Sequence, residues 1–285
     1  MVNETAGRLY VVATPIGNLG DLSPRARTVL SECALVAAED TRHTGVLLRH
    51  FGIQTPQLSL HDHNEEQRAG EIIRRLREGA AVALVSDAGT PAISDPGFEL
   101  VRAVAAAGFP VIAIPGPCAA IAALSIGALP TDRFCFEGFL PARAAARRKR
   151  LQSLANEERT LVLYEAPHRV RDTLADCAAV FGAERRATAA RELTKMHETI
   201  YRGSLRELET LAESDADIGR GELVLLIAGA PPSPADGGQL DRVLKILLGE
   251  LPLKQAARLA ARIADVRDNE AYKRALELKQ ESSSH

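Results

Sequence analysis

The sequence predicts an α/β fold, with two core-bearing α/β domains followed by a helical appendage. Three observations predict it. Short runs of Val, Ile, Leu and Ala recur with helical stretches between them, the pattern of strands buried beneath helices. At 285 residues the chain exceeds the ~100–150 residues of one usual domain. Its composition, 46% apolar and 25% charged, is that of a globular protein and sets aside disordered and membrane classes.

Each element has a local reason. The first strand is expected at Leu9–Ala13, and the turn TPIGNLGDLSP after it ends on Ser23-Pro24, a capping serine with proline at the first helical position. A strand at Ala34–Ala38, the loop EDTRHTG and a helix near Val46–His50 come next. Asn64 opens a further helix, with Gln67 placed to return a capping-box contact and Gly79 closing the element. The strand Val82–Val85 runs through SDAGTPAISDPG into a helix at Phe98–Ala107, and Gly108 turns the chain into a strand at Val111–Ile114. PGPCAAIAALSIGALP gives a helix of small residues.

Near Ala128–Thr131 turn formers and aromatics take over, which divides a domain of residues 1–128 from one of residues 129–231. The second is expected to hold strands at Leu161–Tyr164, Ala187–Ala190, Glu198–Arg202 and Leu223–Ile227. Too few residues join 187–190 to 198–202 for a helical crossover, so these two pair as an antiparallel hairpin and the sheet is mixed. APPSPADGG reads as a linker. Within residues 239–285 two short helices are split by Val-Arg-Asp-Asn, with Asp268 or Asn269 capping the second. They either form a helix-turn-helix that meets nucleic acid or pack on the parent fold.

The formal charge of −2 argues against a protein that coats nucleic acid by charge alone. One basic patch stands out, RAAARRKR at 143–150, on a helix expected to continue through Leu151 and Leu154. Cys33, Cys118, Cys135 and Cys177 are scattered, with no paired spacing or clustered histidines, so thiols are expected and no metal site. No apolar run reaches the ~18–20 residues of a membrane span. The amino end lacks the basic-then-apolar layout of an export signal, and a cytoplasmic protein is expected.

Ligands of open α/β sheets gather beyond the carboxyl ends of the strands. The loops TPIGNLGD, EDTRHTG, SDAGTPAISDPG and PGPCAA are the rich ones, and none carries either common glycine fingerprint of nucleotide binding, which disfavours a dehydrogenase. Asp87, followed by Ala88 and Gly89 after a buried strand, is expected to accept a hydrogen bond from a ligand hydroxyl or amine, the alternative being a turn-stabilising role. Asp95, just before Pro96 and a helix, is expected to cap that helix. PGPCAA either starts a close-packed helix or offers free backbone donors to a carboxylate. Glu39-Asp40-Thr41-Arg42-His43 and His61-Asp62-His63-Asn64 are either solvated loops or the rim of a cleft.

With these loops, the motifs VATPIGNLGDLSPRA, AEDTRHTGVLL, LSLHDHNE, VSDAGTPAISDPG, PGPCA, LPTDRFCFEGFLP, LYEAPHRV and ARELTKMHE closely resemble the ribosomal RNA small subunit methyltransferase I family of the tetrapyrrole methylase superfamily. The resemblance runs from about Gly7 to the last helix pair. It implies methyl transfer from S-adenosylmethionine to the ribose 2′-oxygen of a cytidine in the decoding region of 16S rRNA in the small ribosomal subunit. It also implies a cofactor cleft between two α/β domains, a homodimer and no membrane contact. By motif position, Pro15, Ile16, Asp87, Gly89, Ile93, Cys118, Ala119, Tyr164, Arg191 and Ala228 would line the cofactor. Cys118 departs from the serine of the family's PGPSA pattern. A ribose hydroxyl needs a proton acceptor, for which Glu39, Asp40, His43, Glu165 and Lys195 are the candidates. Arg42, Arg133, Arg147, Arg148, Lys149 and Lys195 are the candidates for RNA phosphate contacts, the alternative for the basic run being a solvated helix face. A small-molecule methyltransferase of the same fold and a non-enzymatic ribosome-assembly factor are the competing readings.

Overall fold

A computed structural model describes residues 7–61, 64–214, 217–231 and 238–282. The first sheet is built from β1 (Arg8–Val12), β2 (Leu35–Ala38), β3 (Gln57–Ser59), β4 (Ala81–Val85) and β5 (Val111–Ile114), in the order β3-β2-β4-β1-β5. Every neighbouring pair is parallel. Between the strands run α1 (Pro24–Glu32), α2 (Thr41–His50), α3 (Glu65–Arg77) and α4 (Phe98–Ala106), and α5 (Ala119–Ile126) follows β5.

Both faces of this sheet are covered, which is why its strands are continuous apolar runs. Ala83 and Val85 of β4 point to the face under α1, where Ala26 and Leu30 pack. Val82 and Leu84 point the other way, against Ile72 and Leu76 of α3 and Leu100 and Val104 of α4. Local chemistry fixes the ends. Ser23 accepts a bond from the Ala26 amide at 3.1 Å and caps α1 as expected. Asp40 caps α2 by accepting from the Arg42 amide, so that helix begins at Thr41, earlier than its apolar stretch suggests. Asn64 makes no side-chain cap on α3; its Oδ1 accepts from the His61 amide and its Nδ2 donates to the Ser59 carbonyl, so the expected capping box is not formed.

The second sheet comprises β6 (Phe134–Phe139), β7 (Thr160–Glu165), β8 (Arg186–Arg191), β9 (Thr199–Ser204) and β10 (Leu223–Ile227), in the order β6-β7-β10-β8-β9. It is mixed. β6 and β7 are parallel, the other neighbours are antiparallel, and β8 and β9 form the expected hairpin. β3, only three residues long, and β6, broken at Gly138 by a register shift, were not evident in the sequence. α6 (Ala144–Ser153), α7 (Val170–Phe181) and α8 (Leu205–Ser214) cover one face through Leu151, Leu174, Leu205 and Leu208.

The other face meets the first domain. Val162, Ala190, Val224 and Leu226 pack against Ile16 and against Ala120, Ala123 and Leu124 of α5. Small residues let α5 approach closely: a Cβ on Gly127 would stand 2.2 Å from Leu226 Cδ1. The two sheets therefore belong to one compact unit, Met1–Gly229, and Ala230–His285 form a second.

The second unit holds α9 (Gly238–Glu250), α10 (Leu253–Ala264) and α11 (Asp268–Ser282). Two helices were expected here and α9 is the addition; its Leu240 and Leu244 pack with the alanines of α10 and with Ala271, Ala275 and Leu278 of α11. Asp268 lies within the first turn of α11 rather than capping it. Of the expected linker, residues 232–237 lie outside the described residues.

Candidate active site

Parallel strands place their carboxyl ends along one edge, so the loops after β1, β2, β4 and β5 share it. They are cross-tied. The Thr14 amide donates to the Gly89 carbonyl at 2.8 Å and the Gly89 amide donates back to Thr14 at 3.1 Å. Gly89 sits at φ +84°, a conformation a side chain would strain. Thr90 Oγ1 donates to the Pro117 carbonyl at 3.0 Å, and the Asp40 amide donates to Asp87 Oδ1 at 3.1 Å.

Between these loops and the second sheet lies a cavity of about 350 Å³. That volume is typical of small-molecule sites, ~300–1,000 Å³. Ile16, Gly89, Ile93, Asp95, Cys118 and Ala119 line one wall; Phe139, Tyr164, Ala190, Leu193, Leu223 and Val224 line the other. The rings of Phe136 and Phe139 meet Tyr164 edge-on, with centroids 5.0 and 5.6 Å away. The Tyr164 hydroxyl accepts a bond from the Ala120 amide at 3.3 Å, and burial holds the phenol above its ordinary pKa. The wall is rigid and mostly apolar, with few polar groups.

Of the two aspartates of SDAGTPAISDPG, the one that lines the cavity is Asp95. Asp95 does not cap α4: that helix starts at Phe98, as expected, and its N-cap is Gly97, at φ +127° with no side-chain bond, so Asp95 stands two residues ahead of the cap position. Burial, opposed by a hydrogen bond with Ser86 and reinforced by the carboxylates of Glu39 and Asp87, raises its carboxyl to about 6. Asp87 is outside the lining and uses its carboxylate to hold the β2 loop through the Asp40 amide. Ala92 and Ser94 just before Asp95 lie at φ +68° and +64°. Such non-glycine strain costs ~1–3 kcal/mol per residue and concentrates at functional sites.

Several expected contributors lie elsewhere. Pro15 precedes Ile16 but is outside the lining. Arg191 is buried, donating Nε to the Arg220 carbonyl and Nη1 to the His197 carbonyl, so it braces the β8–β9 turn. Ala228 follows the wrong end of β10. That strand is antiparallel to β7, with Leu223 opposite Glu165 and Ile227 opposite Leu161, so only its first residues reach the cavity. Phe139, Leu193, Glu222 and Leu223 line the site as well, beyond the residues the motifs point to. The motif LPTDRFCFEGFLP held the first of these; nothing in the apolar run of β10 marked its start.

The candidate proton acceptors are mostly engaged. Glu165 touches the cavity, yet its side chain is fully enclosed and accepts from Thr173 Oγ1 at 2.6 Å and the Ala166 amide at 2.8 Å, with Arg169 at 3.2 Å. Asp40 is held well below the ordinary carboxylate range by its bonds with Arg42. Lys195 contacts Glu192 at 2.8 Å and Glu222 at 3.2 Å; burial pulls its ammonium down, but the two carboxylates outweigh this and raise it, which makes it a donor and not a base. Glu39 accepts from the Asp87 amide at 3.4 Å, and His43 is exposed on α2, outside the cavity lining. Asp62 and His63 lie outside the described residues.

The basic run also divides. Arg147 is buried against Asp176 at 2.7 Å and is not available to a phosphate, correcting that expectation. Arg148 pairs with the same carboxylate from outside, while Arg133 and Lys149 are exposed and Arg42 is exposed but paired with Asp40.

Comparison with known proteins matches this geometry to a class. Residues 8–209 fit the model of the Tetrapyrrole (Corrin/Porphyrin) Methylases, and residues 234–279 fit that of the RsmI C-terminal HTH domain. Solved structures share the fold. Uroporphyrin-III C-methyltransferase from Thermus thermophilus aligns at TM-score 0.57 and 22% identity, covering 79% of this chain and 95% of that one. A structure of an enzyme of that name in complex with S-adenyl homocysteine aligns at TM-score 0.55 and 19% identity, covering 77% and 97%. Closer in sequence is the ribosomal RNA small subunit methyltransferase I of Pseudomonas aeruginosa, 58% identical over 96% of this chain and 98% of that protein. The protein of the same name from Escherichia coli O157:H7 is 51% identical, covering 96% of each. The chain belongs to the tetrapyrrole methylases and, within them, to the ribosomal RNA small subunit methyltransferase I family.

Proposed function

We propose that this chain transfers a methyl group from S-adenosylmethionine to the ribose 2′-oxygen of a cytidine in the decoding region of small-subunit ribosomal RNA. The observation that carries the reading is the cavity between two tied sheets, lined by the loops that match the family's motifs. When bound, S-adenosylmethionine supplies an electrophilic methyl group on a sulfonium. The chain's own task is alignment and exclusion of water. Tyr164, Leu193 and Val224 provide an apolar wall, and Gly89 and Ala119 let backbone approach closely. Asp95 has no cationic side-chain partner among the described residues and is placed to accept hydrogen bonds from the cofactor's hydroxyl or amino groups. We assign it the ligand-holding role expected of Asp87.

A homodimer in the cytoplasm is part of the same proposal, supported by the family resemblance and by the large apolar side chains of Val46, Phe98 and Ile121 left at the surface. Among the described residues no helix is long and apolar enough to cross a membrane. The test is transfer of labelled methyl from S-adenosylmethionine to purified small subunits taken from a strain lacking the mark. Label is expected on one cytidine ribose. Labelling of uroporphyrin instead, or of nothing, overturns the proposal.

A further inference from the structure

The three-helix unit carries a groove that the methyl-transfer site does not use. Lys254, Ala257 and Arg258 of α10 and Asp268, Asn269 and Tyr272 of α11 enclose about 270 Å³. The alanine face of α10, residues 257, 260, 261 and 264, packs against α9 and α11. The flank beside that face is exposed and carries Lys254, Arg258 and Arg262, one cation every four residues. At 1.5 Å rise per residue they stand ~6 Å apart along the axis, a ladder of positive charge. None of the three makes an ion pair among the described residues, in contrast to Arg274, which is held by Asp241 and Glu277.

The turn between the helices is fixed. Asp265 takes φ +55° and the Val266 amide returns to the Ala261 carbonyl at 3.0 Å, so α11 leaves at a set angle with Asn269 and Tyr272 facing α10 across the groove. Tyr272 is 42% exposed, an aromatic face kept in solvent beside unpaired cations. Asn269 can both donate and accept. Asp268 repels a phosphate at its own corner, which leaves the α10 side for the backbone of a strand and the α11 side for a base.

We propose that this groove binds single-stranded RNA, with phosphates on Lys254 and Arg258 and on Arg262 one turn beyond the groove, one base stacked on Tyr272 and its edge read by Asn269 and Asp268. Stacking on aromatics and a cationic track along the backbone are the general means of holding single strands. The inference rests on the ribosomal RNA reading above and gives the helical unit the task of holding substrate. Because the contacts are mostly to phosphate, affinity falls with salt, by a slope near −0.7 per phosphate for single strands.

The test uses the full chain, with two probes: a labelled mixed-sequence 12-nucleotide RNA and unmethylated small subunits. Replacing Lys254, Arg258 and Arg262 together by alanine is expected to weaken RNA binding at least tenfold and flatten the log-log salt slope by about 2. Tyr272→Ala is expected to weaken it fivefold or more. The KM for small subunits rises in both, S-adenosylmethionine affinity measured by calorimetry is retained, and unchanged helical circular dichroism reports that the three-helix unit is folded. Should the triple variant bind both probes as the wild type does, the inference is wrong. Loss of affinity for subunits alone, with the 12-nucleotide RNA bound normally, also overturns it and assigns the groove to a ribosomal protein. A wild-type chain that binds neither probe sinks the functional reading itself, a separate outcome. If the triple variant is unstable, Arg258→Gln alone must still reduce the salt slope by about 0.7.

Discussion

The two sheets differ in strand direction, and that difference decides which of their ends do chemistry. All five strands of the first run the same way, so four loops collect on one edge and are free to carry strained backbone and a buried carboxylate. In the second, β6 and β7 run together and the remaining neighbours are antiparallel, and the cavity meets the ends of β6, β7 and β8 but the start of β10. The first sheet thus supplies polar loops and the second a stiff apolar wall. Each should respond to mutation in its own way: scaffold changes should cost stability and spare the ligand, whereas site changes should do the reverse.

The largest expected effect tests the scaffold. Asp176 holds Arg147 in the interior between α6 and α7, so Asp176→Asn strands a buried guanidinium and should destabilise by about 3–5 kcal/mol in urea unfolding. Arg148→Ala, which removes the exposed partner of the same carboxylate, should cost under ~1 kcal/mol. Cofactor affinity should be unchanged in folded protein of either variant.

Next comes the seam between the sheets. Gly127→Ala would drive a methyl group toward Leu226 and the Ala123 carbonyl and should cost about 1–3 kcal/mol through overpacking. If it costs nothing, the close approach of α5 to β10 is not what joins the two halves.

Asp95 reverses the sign. Its carboxyl is raised to about 6 in the folded chain, so the unfolded state releases the proton more readily and native stability falls as pH climbs from the ordinary aspartate range through about 6. Asp95→Asn should therefore stabilise the protein at pH 7.5 by about 1 kcal/mol, a figure reduced for partial exposure. The gain should fade below pH ~4, where both states are protonated. The same variant should lose most of its cofactor affinity, and wild-type affinity should rise as pH passes about 6. Thermal melts and calorimetry across pH 4–8 check both halves.

The smallest effect concerns Cys118, the N-cap of α5, whose side chain makes no capping bond. Cys118→Ser supplies a better cap and should add about 0.5–1 kcal/mol with little change in ligand binding.

Strand and helix positions were largely legible, because two faces buried under helices leave unbroken apolar runs and period-two alternation was not needed to find them. What escaped was end-to-end detail. Asp-Pro before a helix has the form of a cap, but with the helix starting at Phe98 the cap position falls to Gly97, and Asp95, two residues earlier, lines the cavity. Ala228 was misplaced because sequence gives a strand's position without its direction. Arg147 sits within a run of cations that looks solvent-facing throughout, and nothing in the run says which one turns inward to Asp176. The cavity-facing loops were legible from their glycines, prolines and short polar side chains; the wall opposite, being plain β-strand, was not.

One titration bears most directly on the cavity as the seat of the methyl donor: calorimetry with S-adenosylhomocysteine on the wild type and on Ala119→Phe, which projects a ring into the space beside Cys118 and Tyr164. The wild type should bind one equivalent per chain and the filled variant at least thirtyfold more weakly, with its melting temperature showing it still folded. Equal binding by a folded Ala119→Phe chain, or no heat from the wild type, would contradict the account.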